Sequence, residues 1–231
     1  MPYLYFDFTY LLLIPALLFG IWAQAKVKSA YTKYSRVRNM RGYTGADTAR
    51  MILEQNGIYD VRVQHISGNL TDNYNPVNKT LNLSDGVYDS ATVAAVGIAA
   101  HEAGHAVQHA VGYFPIKLRE AIIPVTKIGS WLYWPVILIG LLFSSQNLID
   151  VGILLFSLIA VFQLVTLPVE FNASNRAIAT IEKNEVLYGQ ELSGARSVLR
   201  AAALTYVAAL VSSLAQVLRL VILFGGRNRR S

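Results

Sequence analysis

Long apolar runs occupy three parts of the chain, about Tyr3 to Ala25, Leu148 to Val169 and Ala202 to Phe224. Because about 20 helical residues cross ~30 Å of hydrocarbon, each run predicts a spanning helix. A fourth run, Ile128 to Phe143, is shorter, but Ile122 to Lys127 extends it and Lys127 can snorkel towards the surface. Trp131, Tyr133 and Trp134 lie near its start, where aromatic belts sit in membrane proteins. The pattern therefore predicts spans over 3–25, 122–143, 148–169 and 202–224, separated by a polar region over 26–120, the short turn SSQNLID and a polar segment over 170–200.

Within 26–120 the periodicity changes. Thr44 to Asn56 has helical spacing at Ala49, Ile52 and Leu53 and is closed by Gly57. VRVQHI alternates as a strand does, and after the turn-rich GNLTDNYNPVN the segment KTLNLS alternates again. Asp89 or Ser90 can cap the next helix, which is predicted over 91–111 and stops at Gly112. The expected fold class is mainly α: a multi-span helical membrane protein carrying a small α+β domain.

Composition agrees with lipid as the surroundings. Of 231 residues, 54% are hydrophobic and 15% charged, which excludes a disordered chain. The net charge of +6 would suit nucleic acid, but the apolar runs point to the bilayer and nucleic acid is not an expected partner. The absence of cysteine removes disulfides, thiolate catalysis and cysteine-ligated metal.

Charge distribution sets an expected orientation. Lys26, Lys28, Lys33, Arg36, Arg38, Arg41, Arg50, Arg62, Lys79, Lys117 and Arg119 lie between the first two spans, whereas no Lys or Arg precedes the first. The positive-inside rule then puts 26–120 and 170–200 in the cytoplasm. The tail, with Arg227, Arg229 and Arg230, opposes that scheme. Ala23-Gln24-Ala25 has the form of a signal-peptidase site, but the basic amino-terminal region of a signal is missing and strongly basic residues follow, so an anchor is expected.

The predicted helix over 91–111 contains His101-Glu102-Ala103-Gly104-His105. Residues four apart share a helix face, so the two imidazoles can converge on one ion, with Glu102 beside it as a general base acting on a metal-polarised water. A catalytic zinc usually takes a third protein ligand. His109 lies about 12 Å along a regular helix from His101 and cannot share its metal. His65 precedes the motif, where helices of this type seldom draw a ligand. Glu182 and Glu185 read as solvated charges, and Glu54 and Glu120 lack a motif. Glu170, after Pro168 at the cytoplasmic end of the third span, is the better candidate.

HEAGHAVQHA followed by EFNAS resembles the YugP-like neutral zinc metallopeptidases of bacterial membranes, themselves similar to HtpX-type and CAAX-prenyl membrane proteases. The resemblance covers most of the chain, from LTDNYNPVNKTLNLS to LPVEFNAS. It implies a gluzincin-like zinc endopeptidase with His101, His105 and Glu170 as ligands and Glu102 as general base. It also implies a peptide or membrane-protein substrate, a bacterial plasma-membrane location with the site facing the cytoplasm, and TLNLS as the strand edge along which the substrate adds. HtpX-type relatives carry Asp four residues after the ligand Glu, where this chain has Ser174, with Asn172 between them. His65, Tyr74, Arg200 and Tyr206 are candidates for stabilising the oxyanion, and none has a signature. Two rival readings are an intramembrane site-2-type protease using Asp150 and a non-catalytic, metal-stabilised membrane adaptor; the general base Glu102 argues against the second.

Overall fold

A computed structural model describes residues 7–225. Residues 3–6 of the first apolar run and Arg227, Arg229 and Arg230 of the tail lie outside the described residues. A 3-10 turn, Phe8–Leu12, leads into α1 (Leu13–Tyr34). Then come α2 (Gly45–Gln55), β1 (Arg62–His65), β2 (Asn73–Asn75), β3 (Thr80–Leu83), α3 (Val93–Ala110), α4 (Phe114–Leu142), α5 (Gln146–Lys183) and α6 (Gly189–Phe224). The fold is mainly α. Among the described residues, four helices are long and apolar enough to cross a membrane: Phe8–Tyr34, Phe114–Leu142, Gln146–Lys183 and Gly189–Phe224.

The chain divides into two compact units. The first comprises Met1–Ala23, Leu118–Leu167 and Thr205–Ser231. Its buried residues Ile137, Phe156 and Leu220 pack with Tyr133, Ile153 and Val217. Small residues bring its helices together, as at Gly129, where an added Cβ would lie 3.0 Å from the Leu155 carbonyl oxygen. Arg219 pairs with Asp7 at 2.8 Å and stacks over the Tyr10 ring, 3.9 Å from its centroid. An ionisable residue in an apolar helix needs such a partner.

The second unit, Gln24–Lys117 with Pro168–Leu204, holds the α+β part. Thr44 caps α2 in a full capping box with Asp47, and Gly57, at φ +69°, ends it in the left-handed region. The cap of α3 is Thr92, not Asp89 or Ser90: its side chain accepts from the Ala95 N–H. Thr92 stands directly before the first helical residue, where an acceptor reaches that N–H. Ala46, Ile52, Leu81, Leu83, Val96, Ala99 and Ala103 bury one core with Ile181, Leu187 and Ala195.

The sheet order is β1-β3-β2, with β1 parallel and β2 antiparallel to β3. This corrects the expectation for TLNLS. β3 is the central strand and Leu81 and Leu83 are fully buried, so neither of its edges is open to a peptide. β2 lies inside the stretch read as turns. Three residues are too few for alternation to register.

Candidate metal centre

α3 is built largely from Ala and Gly, and that composition controls how closely the rest of the unit approaches. An added Cβ at Gly104 would stand 2.9 Å from the Ala173 carbonyl oxygen. The near contact brings the backbone of α5 against the motif face of α3. α5 runs unbroken through Pro168, so Glu170 projects from within a continuous helix.

His101, His105 and Glu170 form a group whose ligand atoms all lie within 4.8 Å of one another. Glu170 Oε2 is 3.3 Å from His101 Nε2 and 3.6 Å from His105 Nε2. Zinc bonds of about 2.0–2.1 Å at tetrahedral angles separate ligand atoms by roughly 3.3–3.5 Å, so the donor set fits that ion. The imidazoles lie nearly perpendicular, at 83° with centroids 4.7 Å apart. Glu170 is 3% exposed and His105 8%, a burial that two imidazoles and a carboxylate tolerate when they share a charge partner.

Both Nδ1 atoms are held from behind, which leaves both Nε2 atoms facing Glu170. Ser174 Oγ lies 3.1 Å from His101 Nδ1, and Gln108 Oε1 lies 3.0 Å from His105 Nδ1. Gln108 Nε2 donates to the Val169 carbonyl at 2.8 Å and to Asn172 Oδ1 at 3.0 Å; Arg176 Nε donates to the same Asn172 oxygen. Such partners fix ring orientation and tautomer. Burial opposes the charged form of His105, but the neighbouring Glu170 and Glu102 carboxylates outweigh it and raise the imidazole above its ordinary range.

Glu102 follows His101 on the same turn, and its Oε2 accepts the main-chain N–H of Tyr74 at 3.0 Å. Tyr74 therefore meets the site through its backbone on β2, while its ring packs 5.3 Å from that of His109. His65 instead pairs with Asp85 at 2.7 Å, Glu182 with Arg196 at 3.1 Å and Glu185 with Arg41 at 2.8 Å. Asp150, bonded by Gln146 at 2.9 Å, and Tyr206 belong to the other unit. Arg200 lines a cavity between α5 and α6. Sequence reasoning missed Gln108 and the Tyr74 N–H. Gln108 left one signal, a polar residue three after His105 in an apolar helix; a backbone donor leaves none.

A buried His2Glu group beside a further carboxylate, on a helix packed against a small sheet, is the arrangement of helix-borne zinc peptidases. The family model described as "Putative neutral zinc metallopeptidase" matches residues 9–225, and the chain belongs to that family. It is 48% identical over 218 residues to "Putative membrane protease YugP" of Bacillus subtilis (strain 168), covering 94% of this chain and 97% of that protein. No solved structure matches the chain.

Proposed function

We propose that the protein is a membrane-anchored zinc endopeptidase in which His101, His105 and Glu170 hold the ion and Glu102 is the general base. The observation that carries this reading is the separation of Glu170 Oε2 from the two imidazole Nε2 atoms, 3.3 and 3.6 Å, with both Nδ1 atoms engaged elsewhere. Zinc bound there supplies a Lewis acid that polarises the scissile carbonyl and lowers the pKa of water. Glu102 takes the proton of the attacking water and returns it to the leaving amine. Ser174 and Gln108 engage the two Nδ1 atoms and so hold the rings with Nε2 turned towards Glu170.

The sheet edge beside Glu102 is β2, whose Tyr74 N–H points to that carboxylate and not into the sheet. A substrate in extended form adds along this edge, with its scissile carbonyl carried past Glu102. The eleven basic residues between the apolar runs 3–25 and 122–143 favour a cytoplasmic site in a bacterial plasma membrane. Glu170, and not Asp150, stands with the histidines, which disfavours the site-2-type alternative.

The test is metal analysis of the purified full-length protein together with casein digestion in detergent, with and without chelator. Stoichiometric zinc and hydrolysis that chelation abolishes and zinc restores are expected. Zinc without hydrolysis of any polypeptide would return the chain to the adaptor reading.

A further inference from the structure

Two helix faces with the same repeat oppose each other beside the metal group. Residues 171, 174, 175, 178, 179 and 182 follow the three-and-four spacing of one face of α5, and 196, 199, 200, 203 and 204 do so on α6. These helices are joined by the short connection of residues 184–188, a geometry in which such faces ordinarily zip together. Here they leave a half-open cavity of about 630 Å³ between them. That volume falls in the ~300–1,000 Å³ range of ligand sites and exceeds what one side chain fills.

Its lining is mixed. Phe171, Ile178, Leu199 and Leu204 supply apolar wall, and three charged residues face it. Arg196 and Glu182 neutralise each other at 3.1 Å. Arg200 makes no hydrogen bond or ion pair among the described residues, so the cavity carries one uncompensated positive charge. Its wall also includes Ser174, the residue that holds His101, and Phe171, the neighbour of Glu170.

Given the endopeptidase reading, on which this step rests, we propose that the α5–α6 cavity is a substrate pocket for an acidic residue flanked by apolar ones, with Arg200 binding the carboxylate. Adjacency to the residues that hold and follow metal ligands places an occupant next to the scissile bond. The alternative occupant is an anionic lipid. It is disfavoured because most of the lining, from Ser174 to Glu182 and from Arg196 to Arg200, lies beyond the apolar runs that reach the bilayer. A guanidinium fork suits a carboxylate bidentately, and Arg200 is exposed at the open side of the cavity, where an entering carboxylate reaches it.

The experiment compares matched fluorescent peptides, identical and Leu-rich except for a central Glu, Gln or Lys, binding to full-length zinc-loaded Glu102→Gln protein in neutral detergent. The Glu peptide should bind about fivefold or more tightly than the Gln peptide. Arg200→Gln should bring that ratio to one, Arg200→Lys should recover part of it, and Arg200→Glu should favour the Lys peptide. Equal binding of the Glu and Gln peptides, or a preference that survives Arg200→Gln, overturns the proposal. So does retention of phosphatidylglycerol that depends on Arg200 while the peptide ratio does not, since that assigns the cavity to lipid. No turnover enters the measurement, so a protein that selects acidic peptides yet never hydrolyses them sinks the endopeptidase reading and leaves the pocket standing.

Discussion

Gly104 of the motif helix lies against Ala173 of α5 so closely that a methyl group at 104 would meet the Ala173 carbonyl oxygen at 2.9 Å. Real side chains essentially never make that approach to a backbone atom, so a larger residue must displace one helix. Glu170 stands one turn from Ala173, and displacement carries it away from both imidazoles. At Gly97, by contrast, an added Cβ would sit 3.4 Å from the Ala195 Cβ, an ordinary contact. Gly104→Ala should lower zinc affinity about tenfold or more, whereas Gly97→Ala should leave it nearly unchanged. Competition with a chromogenic chelator measures both. Alanine gains about 1 kcal/mol of helix propensity over glycine, so undiminished zinc binding with a higher Tm in Gly104→Ala would refute the close-approach argument.

Gln108 connects His105 to the helix that carries Glu170, accepting at one end of its amide and donating to Val169 and Asn172 at the other. Gln108→Leu removes both functions. Zinc affinity should fall about 10- to 100-fold, with a smaller loss in Gln108→Glu, which keeps the acceptor for His105. Equal losses in the two variants would assign Gln108 to packing alone.

Glu102→Gln should retain its metal and lose at least about a hundredfold in hydrolysis, because the ligands survive while the proton acceptor does not. Glu170→Gln should instead lose zinc, and Asp150→Asn should keep both zinc and activity. If metal content follows Asp150, the ligand set proposed here is wrong.

The raised His105 imidazole gives a pH dependence with a defined sign. In metal-free protein a group whose pKa is higher folded than unfolded contributes stability below the unfolded value, about 6.5 for histidine, and loses it as pH rises through the folded value. Zinc requires the neutral ring, so its stabilisation grows over the same window. With chelator, Tm should fall as pH rises from about 6 through the folded pKa of His105, while the Tm increment on adding zinc should widen. A zinc increment that narrows with rising pH contradicts the pairing of His105 with Glu170.

The parts of this site that a sequence can express are side chains at fixed spacing on one helix. His101, Glu102 and His105 are of that kind; Glu170 is legible from its place after Pro168 at the end of the third apolar run and from the resemblance of EFNAS to a known pattern, and Ser174 from that resemblance. What escaped was set by packing between segments distant in sequence. Gly104 reads as a helix weakener until the backbone of α5 is seen against it. The Tyr74 N–H belongs to no residue type. The resemblance implies TLNLS as an edge, and alternation, which identifies a strand but not its neighbours, offers no check: the parallel partner β1 covers one side and the three-residue β2 the other.

Pairings within the first unit relate the ends of its apolar helices to one another. Asp7, before α1, pairs with Arg219 near the end of α6, and Gln146, at the start of α5, donates to the Phe224 carbonyl at 2.9 Å. The start of α1, the α4–α5 turn and the end of α6 therefore lie at one end of that unit, as four full crossings require. On the proposed orientation, the eleven basic residues between the apolar runs 3–25 and 122–143 favour the cytoplasm for residues 26–120. In this chain, which lacks cysteine, Ser145→Cys and Ser231→Cys should both react with an impermeant thiol reagent on intact cells. Asn56→Cys and Asn184→Cys should react only after permeabilisation. Protection of Ser231→Cys while Ser145→Cys is labelled would mean that the three arginines of the tail draw it back across the membrane. Labelling of Asn56→Cys on intact cells would reverse the orientation and place the metal group outside the cytoplasm.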